Sequence, residues 1–202
     1  MRLAESVFRL LGLALIGVLI AACSNPTAVD DIAGGSPPSG YSVGDQGPAG
    51  GWIFYIDTAN DHDWTYLEAA PTDASEGVIW SNISQYFGAG ILSGNIGRGE
   101  PNTALIVEQA SHTESAAQVA LDYSAGGFDD WFLPSNVELR MMRDNLHQVG
   151  IGGFDDVQYW SSMEQGTGNP NQGRFVDFSN SDFQWGSVAK SSTRRVRPAR
   201  AF

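Results

Sequence analysis

Apolar and polar positions divide the chain into three stretches. Leu10 to Ile20 is an unbroken, uncharged apolar run. Ser24 to Gly40, reading SNPTAVDDIAGGSPPSG, has almost nothing to bury. From Tyr41 onward short apolar runs alternate with polar, glycine-rich segments. The turn cluster Gly44 to Gly51 leads into Trp52-Ile53-Phe54-Tyr55-Ile56, whose aromatic and β-branched residues predict a strand. After a polar loop, Asp57 to Asp63, the alternation of Trp64 to Ala70 predicts its hairpin partner, ended by Pro71. Val78-Ile79-Trp80 predicts a further short strand, and Ser81 to Gly99 reads as a glycine-rich loop. Tyr159 to Ser162, Gly173 to Phe178 and Arg194 to Ala199 read as short antiparallel strands joined by polar loops.

Helical spacing occupies the middle of the chain. Pro101-Asn102-Thr103 opens a helix in which Asn102 or Thr103 is expected to cap a free amide. Ala104, Val107, Ala110, Ala117, Ala120 and Leu121 carry its apolar stripe to about Tyr123. Trp131-Phe132-Leu133-Pro134-Ser135 reads as a rigid corner, with Ser135 as N-cap and Glu138 three residues later completing a capping box. The second helix runs to about Val149, turns Val137, Leu139, Met142 and Leu146 inward, and stops at Gly150, Gly152 and Gly153. Two helices packed on many short antiparallel strands make an α+β domain.

The apolar run at the start calls for a different reading. Eleven residues are too few to span a hydrocarbon core of about 30 Å, but suit the centre of a signal peptide behind Arg2 and Arg9. Ile20-Ala21-Ala22-Cys23 resembles the bacterial lipobox, and Cys23 is the only cysteine. The resemblance implies cleavage before Cys23 and a lipid on its thiol. Each buried CH₂ contributes about 0.8 kcal/mol, so several acyl chains anchor stably. Ser24, where an Asp would signal inner-membrane retention, implies the outer membrane. The expected division is residues 1–22 as a lipoprotein signal peptide, 23–40 as lipidated cysteine and flexible linker, and 41–202 as the folded domain. The linker spans roughly 20–25 Å on average.

Charge narrows the partners. The net charge is -12, and removing residues 1–22 takes away Arg2, Arg9 and Glu5, leaving 9 basic against 22 acidic residues. Such a surface repels phosphates over a Debye length of about 10 Å, which excludes nucleic acid as a partner. A single cysteine allows no internal disulfide, so the domain depends on its core.

Several blocks then acquire a common meaning: Gly44-Asp45-x-Gly47-Pro48-Ala49-Gly50-Gly51, Leu67-Glu68-Ala69-Ala70-Pro71, Tyr123 with Gly126-Gly127-Phe128-x-Asp130-Trp131-Phe132-Leu133-Pro134-Ser135, Tyr159-Trp160-Ser161-Ser162 and Arg195-Val196-Arg197-Pro198-Ala199-Arg200-Ala201-Phe202. Together they resemble the Lcl C-terminal domain family of bacterial lipoproteins and surface proteins, over about Tyr41 to Phe202. The Leu-Pro-Ser corner, the Trp-Ser-Ser block and the closing Arg-Val-Arg are also similar to formylglycine-generating enzymes, relatives of C-type lectins. The resemblance implies a C-type-lectin-like fold, with the chain ends paired in one sheet and a long loop region carrying any site.

The chemistry expected is binding. Formylglycine-generating enzymes need cysteines that this domain lacks. His62, His112 and His147 fit no metal spacing, and neither a Gly-x-Ser-x-Gly elbow nor a phosphate loop is present. No catalytic residue, metal or cofactor is expected. Glu100-Pro101-Asn102 matches a calcium-ligating triplet of C-type lectins, but it precedes the helix and reads as a helix start. Asp57, Asn60, Asp61 and Asp63 read as a solvated loop rather than a calcium cage. Asp129-Asp130 and Asp155-Asp156, each after Gly-Gly-Phe, read as turn residues. The polar stretch Met163 to Ser192 supplies the candidate ligand groups: Glu164, Asn169, Asn171, Asp182, Gln184 and Trp185. An aromatic ring meets the apolar side of a sugar, while amides and carboxylates meet its hydroxyls. Among the basic residues near the end, Arg195 and Arg197 are expected to pair with buried carboxylates and hold the chain ends together. The function expected is a lectin-like module recognising an extracellular glycan or surface partner; the alternatives are a structural envelope protein and, behind it, an uncharacterised enzyme. Replacing Cys23→Ala is expected to move the protein from the membrane to the soluble fraction, and continued detergent-dependent fractionation would refute the lipid anchor.

Overall fold

The computed structural model describes residues 40–88, 92–166, 168–179 and 184–202. Cys23 and Asp182 lie outside them. The described residues belong to one compact unit, Ser36–Phe202. Two sheets are formed. Strands β1 (Trp52–Ile56), β2 (Tyr66–Ala69) and β8 (Ala199–Ala201) make an antiparallel sheet in the order β1-β2-β8. The second contains β3 (Ser75–Ile79), β4 (Gln158–Glu164), β5 (Gln172–Asp177), β6 (Trp185–Ala189) and β7 (Thr193–Val196), in the order β3-β7-β4-β5-β6. Its pairs are antiparallel except β4 with β7. Between them the chain forms α1 (Gly99–Val107), α2 (Ala116–Leu121) and α3 (Asn136–Asn145), the last followed by a 3₁₀ turn, His147–Val149. The domain is α+β, and its first and last strands share one sheet. There Tyr41 packs edge-on against Phe202, ring centroids 5.8 Å apart.

Local chemistry explains most of these elements. Tyr55 and Ile56 pair with Leu67 and Tyr66, as the alternation predicts for a hairpin. Ser135 Oγ accepts from Glu138 N, and the Glu138 carboxylate accepts from Ser135 N at 2.7 Å, so the capping box forms. Leu139, Met142 and Leu146 are buried, whereas Val137 is only half-buried. Gly150, at φ 77°, ends the 3₁₀ turn in the left-handed region where a side chain would be strained.

Several expectations need correction. The helix expected from Asn102 to Tyr123 is two helices. Ser111 takes a left-handed φ of 67°, and Ser115 caps α2 by accepting from Gln118 N at 3.0 Å. Ser and Thr compete with the helix for backbone groups, so the polar run Ser111 to Ser115 breaks it. Neither Asn102 nor Thr103 is a cap, because α1 begins at Gly99, behind Arg98, which makes no side-chain cap bond. Finally, Trp185 to Ala189 is a strand rather than polar loop. Gly186 and Ser187 weaken its sequence signal, yet Gly186 is required: a Cβ there would lie 2.7 Å from Phe175 Cζ.

The expected single strand Arg194 to Ala199 is split between the sheets. Pro198 has no N–H to give a ladder. Val196 pairs with Ser75 on one side of it, and Ala199 with Ala69 on the other. Adjacent residues of β4 are divided in the same way between two cores. Tyr159 joins Phe54, Leu67, Phe132 and Leu139, whereas Trp160 joins Trp80, Ile106, Leu133 and Val196. The period of a strand sends neighbouring side chains to opposite faces. Two indoles bind the strands crosswise: Trp80 Nε1 donates to Ser161 O and Trp160 Nε1 to Val78 O, both at 2.8 Å.

Arginine closes the junction between the sheets. Arg197 Nε donates to Asp73 Oδ1 at 2.6 Å and Arg195 Nη1 to Asp73 Oδ2 at 2.9 Å. Arg197 is 1% exposed and also donates to the carbonyls of Ala70, Gly152 and Gly153. The expected pairing of Arg195 and Arg197 with buried carboxylates is met in part: both meet Asp73, which is half-buried, and Arg195 also bridges the exposed Asp155 at 2.7 Å. Arg200 bridges Glu68 at 3.2 Å and Asp130 at 2.8 Å. Its hydrogen bonds hold the Asp130 carboxyl below the usual range. Removing one member of a buried pair leaves the other uncompensated. Asp73→Ala is expected to reduce stability by about 3 kcal/mol or more, read as a lower urea midpoint at unchanged slope.

Candidate ligand-binding site

The candidate ligand residues do not form one site. Asn169 is exposed in the β4–β5 turn, where its N–H closes onto Gly166 O at 3.0 Å. Asn171 accepts from Lys190 N at 2.8 Å and lines a small cavity of about 140 Å³ with Ser81 and Asn82. Gln184 is exposed just before β6. Trp185 is 45% exposed, with the Arg174 guanidinium 4.8 Å from its ring centre. Glu164, 4% exposed, lies at the end of β4 on the wall of a different cavity. Asp182 lies outside the described residues.

The Glu164 cavity has a volume of about 440 Å³. Its walls include residues 86, 88 and 92–95, the first residues of α3 and the end of β4, with Tyr86, Ser93, Asn95, Asn136, Met163 and Glu164 among the lining residues. Buried polar groups pin these wall residues at both ends. At one end Glu164 accepts from Lys190 Nζ at 2.9 Å and from Phe87 N at 2.8 Å, while Lys190 Nζ donates to Gln85 O at 3.0 Å. At the other end Asn102 Nδ2 donates to Ser93 O at 2.7 Å and to Ser162 Oγ at 3.1 Å. Val137 N donates to Gly94 O at 2.9 Å. Glu138 then takes the free amides of Arg98 and Gly99, at 3.2 and 3.3 Å, beside the capping bond from Ser135. Gly94 permits the close approach, since a Cβ there would lie 2.7 Å from Met163 Sδ.

The charges in this wall are internally matched. Burial pushes the Glu164 carboxyl above its usual range, opposed by the Lys190 ammonium bonded to it. Lys190 is 2% exposed, so it belongs to this lock rather than to any basic surface. Its ammonium also lies 4.8 Å from the Trp80 ring centre. One wall group is unmatched. Asn136 is 8% exposed, and its Nδ2 is buried without an acceptor among the described residues. Such an amide typically carries a penalty of about 1–3 kcal/mol.

The other chemistry-bearing residues lie apart from this wall. His62 Nδ1 lies 3.1 Å from Asp57 Oδ2, and its ring stacks on Trp64. Burial works against the Asp57 charge, but hydrogen bonds from His62 outweigh it and hold the carboxyl below its usual range. His112 Nε2 meets Ser115 Oγ at 2.8 Å, and His147 Nε2 meets Phe178 O at 2.7 Å. Glu100 is exposed while Asn102 is fully buried, so the Glu-Pro-Asn triplet does not present its two side chains together. Among the described residues, no group of three or more His, Cys, Asp or Glu could hold a metal ion. Nor is any described helix long and apolar enough to cross a membrane. The chain matches no family model, and no curated protein is significantly similar to it.

Sequence reasoning found Glu164 but missed its setting. Asn136 carries no signal beyond following the Leu-Pro-Ser corner, and Tyr86 lies in a stretch without periodicity. Lys190→Met is expected to destabilise the domain by about 3 kcal/mol or more, because Glu164 loses its counter-charge. Adding Glu164→Leu should restore much of that loss. Additive losses in the double mutant, measured by urea unfolding, would show that the two residues do not act as a pair.

Proposed function

We propose that this protein is a noncatalytic binding module of the cell envelope. It is held by lipid on Cys23, at the outer membrane, and takes an extracellular glycan in the cavity walled by residues 86, 88 and 92–95, α3 and β4. We further propose that the α+β domain is C-type-lectin-like, as its five sequence blocks and the presence of β1 and β8 in one sheet, on either side of β2, suggest. The observation that carries the binding reading is Asn136, a buried amide with an N–H group unmatched among the described residues, on the wall of a cavity. A ligand hydroxyl or carbonyl supplies the acceptor it lacks. The volume of about 440 Å³ suits a small ligand. Tyr86 offers a ring for the apolar side of a sugar, Asn95 and Ser93 offer polar groups, and the Glu164–Lys190 pair leaves no excess charge there.

A second reading, an envelope protein that works through protein contacts, draws on Trp185. This indole is exposed on a strand rather than set in the cavity.

The test is a glycan array probed with the full chain in detergent micelles, with calcium and with chelator. Binding should survive the chelator and weaken at least tenfold in Asn136→Leu, whose thermal stability should not fall. Loss of a buried unsatisfied amide predicts that combination. Calcium-dependent binding, or binding indifferent to Asn136, would overturn the assignment of this cavity.

A further inference from the structure

The two sheets present four outer edges, and three of them are blocked. The edge of β1 is covered by the preceding segment: Gly44 N donates to Ile53 O and Ile53 N to Asp45 O, at 2.8 and 2.9 Å. The edge of β8 is taken by Phe132, which exchanges both main-chain hydrogen bonds with Ala199, at 2.8 and 2.9 Å. The edge of β3 is interrupted by an irregular register between Ser75 and Val78 and carries the exposed charge of Glu76. Coverage, bulges and charge are the means by which sheet edges are kept from pairing with other chains.

The edge of β6 has none of these protections among the described residues. Trp185-Gly186-Ser187-Val188-Ala189 contains no charge and no proline, and its register with β5 is unbroken from Gln172↔Ala189 to Val176↔Trp185. The direction of its free groups follows from two bonds. Asp177 N donates to Gln184 O and Lys190 N to Asn171 O. Bonded pairs alternate along an antiparallel ladder, so Gly186 and Val188 also face β5. The main-chain groups of Trp185, Ser187 and Ala189 therefore point outward. Of these, only the Ala189 carbonyl has another main-chain partner among the described residues, Ser192 N at 2.9 Å.

We propose that β6 is an association edge whose occupant is a second copy of this chain, paired antiparallel about Ser187 to join two five-stranded sheets into one. Three observations select a copy over an unrelated strand. First, antiparallel pairing is self-complementary: with the two-fold axis at Ser187, the outward groups of Trp185 meet those of Ala189 in the other copy, and Ser187 meets Ser187. Second, the side chains match under that operation, the largest facing the smallest at each end and two hydroxyl residues in the centre. Third, β6 carries no charged residue, so two copies paired along it oppose no like charges within the strand although each carries a net charge of -12. The proposal is independent of the glycan reading, since no residue lining that cavity belongs to β6.

Site-directed crosslinking of the full chain in detergent tests it. A hydrogen-bonded antiparallel pair places Cα atoms about 5.5 Å apart, within disulfide range. Under mild oxidation Ser187→Cys should pass mostly into a disulfide-linked band of twice the chain mass. Glu76→Cys on the blocked edge, and the unsubstituted chain with Cys23 alone, should give little or no disulfide-linked band. Ser187→Pro removes an outward N–H and no β5 ladder bond, so it should halve the mass seen by sedimentation while the circular dichroism is kept. Equal crosslinking at Ser187 and Glu76, no crosslinking at Ser187, or a crosslink to a protein of different mass would each overturn the proposal. Should Ser187→Pro fail to fold, the crosslinking comparison decides alone.

Discussion

Asp73 is the point on which this architecture turns. Its two carboxylate oxygens are divided between Arg195 at the end of β7 and Arg197 just beyond it, where the chain leaves one sheet for the other. A guanidinium as buried as that of Arg197 is tolerated only when its donors are met. Here a carboxylate and three carbonyls meet them, and those carbonyls come from the end of β2 and from the glycines after α3. The cation thus fixes three separate stretches of chain relative to one another, which hydrophobic contact alone would leave free to slide.

The same rule repeats around buried glutamates. Glu68 receives the amide of Gly51 and the guanidinium of Arg200. Glu138 receives the amides leading into α1. Glu164 receives Phe87 and Lys190. Each carboxylate sits on a regular element, and each holds an irregular one. A loop-rich domain without an internal disulfide among its described residues is made definite in this way, and the cavity lies between two such fixed points.

What could be read from the sequence follows from the range of the forces involved. The β1–β2 hairpin and the capping box of Ser135 and Glu138 are set within a few residues. The pairing of Arg195 and Arg197 with a carboxylate was legible as a type of interaction, while Asp73, more than a hundred residues away, was not. The break at Ser111 was hidden because alanines on either side keep a helical period. β6 was hidden because Gly186 and Ser187 are there for fit against β5 rather than for burial of their own. The cavity was only partly legible: Glu164 stood out by residue type, but Asn136 matters for a partner it lacks, which no local pattern displays.

The passage of residues 193–201 through both sheets also bears on the order of folding. β7 sits between β3 and β4, and β8 completes the sheet begun by β1. Leu67 meets Ala201 only after every intervening element has been made. Contacts of such long sequence separation slow folding, because the entropy of closing the loop is lost before the contact forms. The β1–β2 hairpin and the β4-β5-β6 ladder can form before these residues are available, but neither sheet is complete until β7 and β8 arrive.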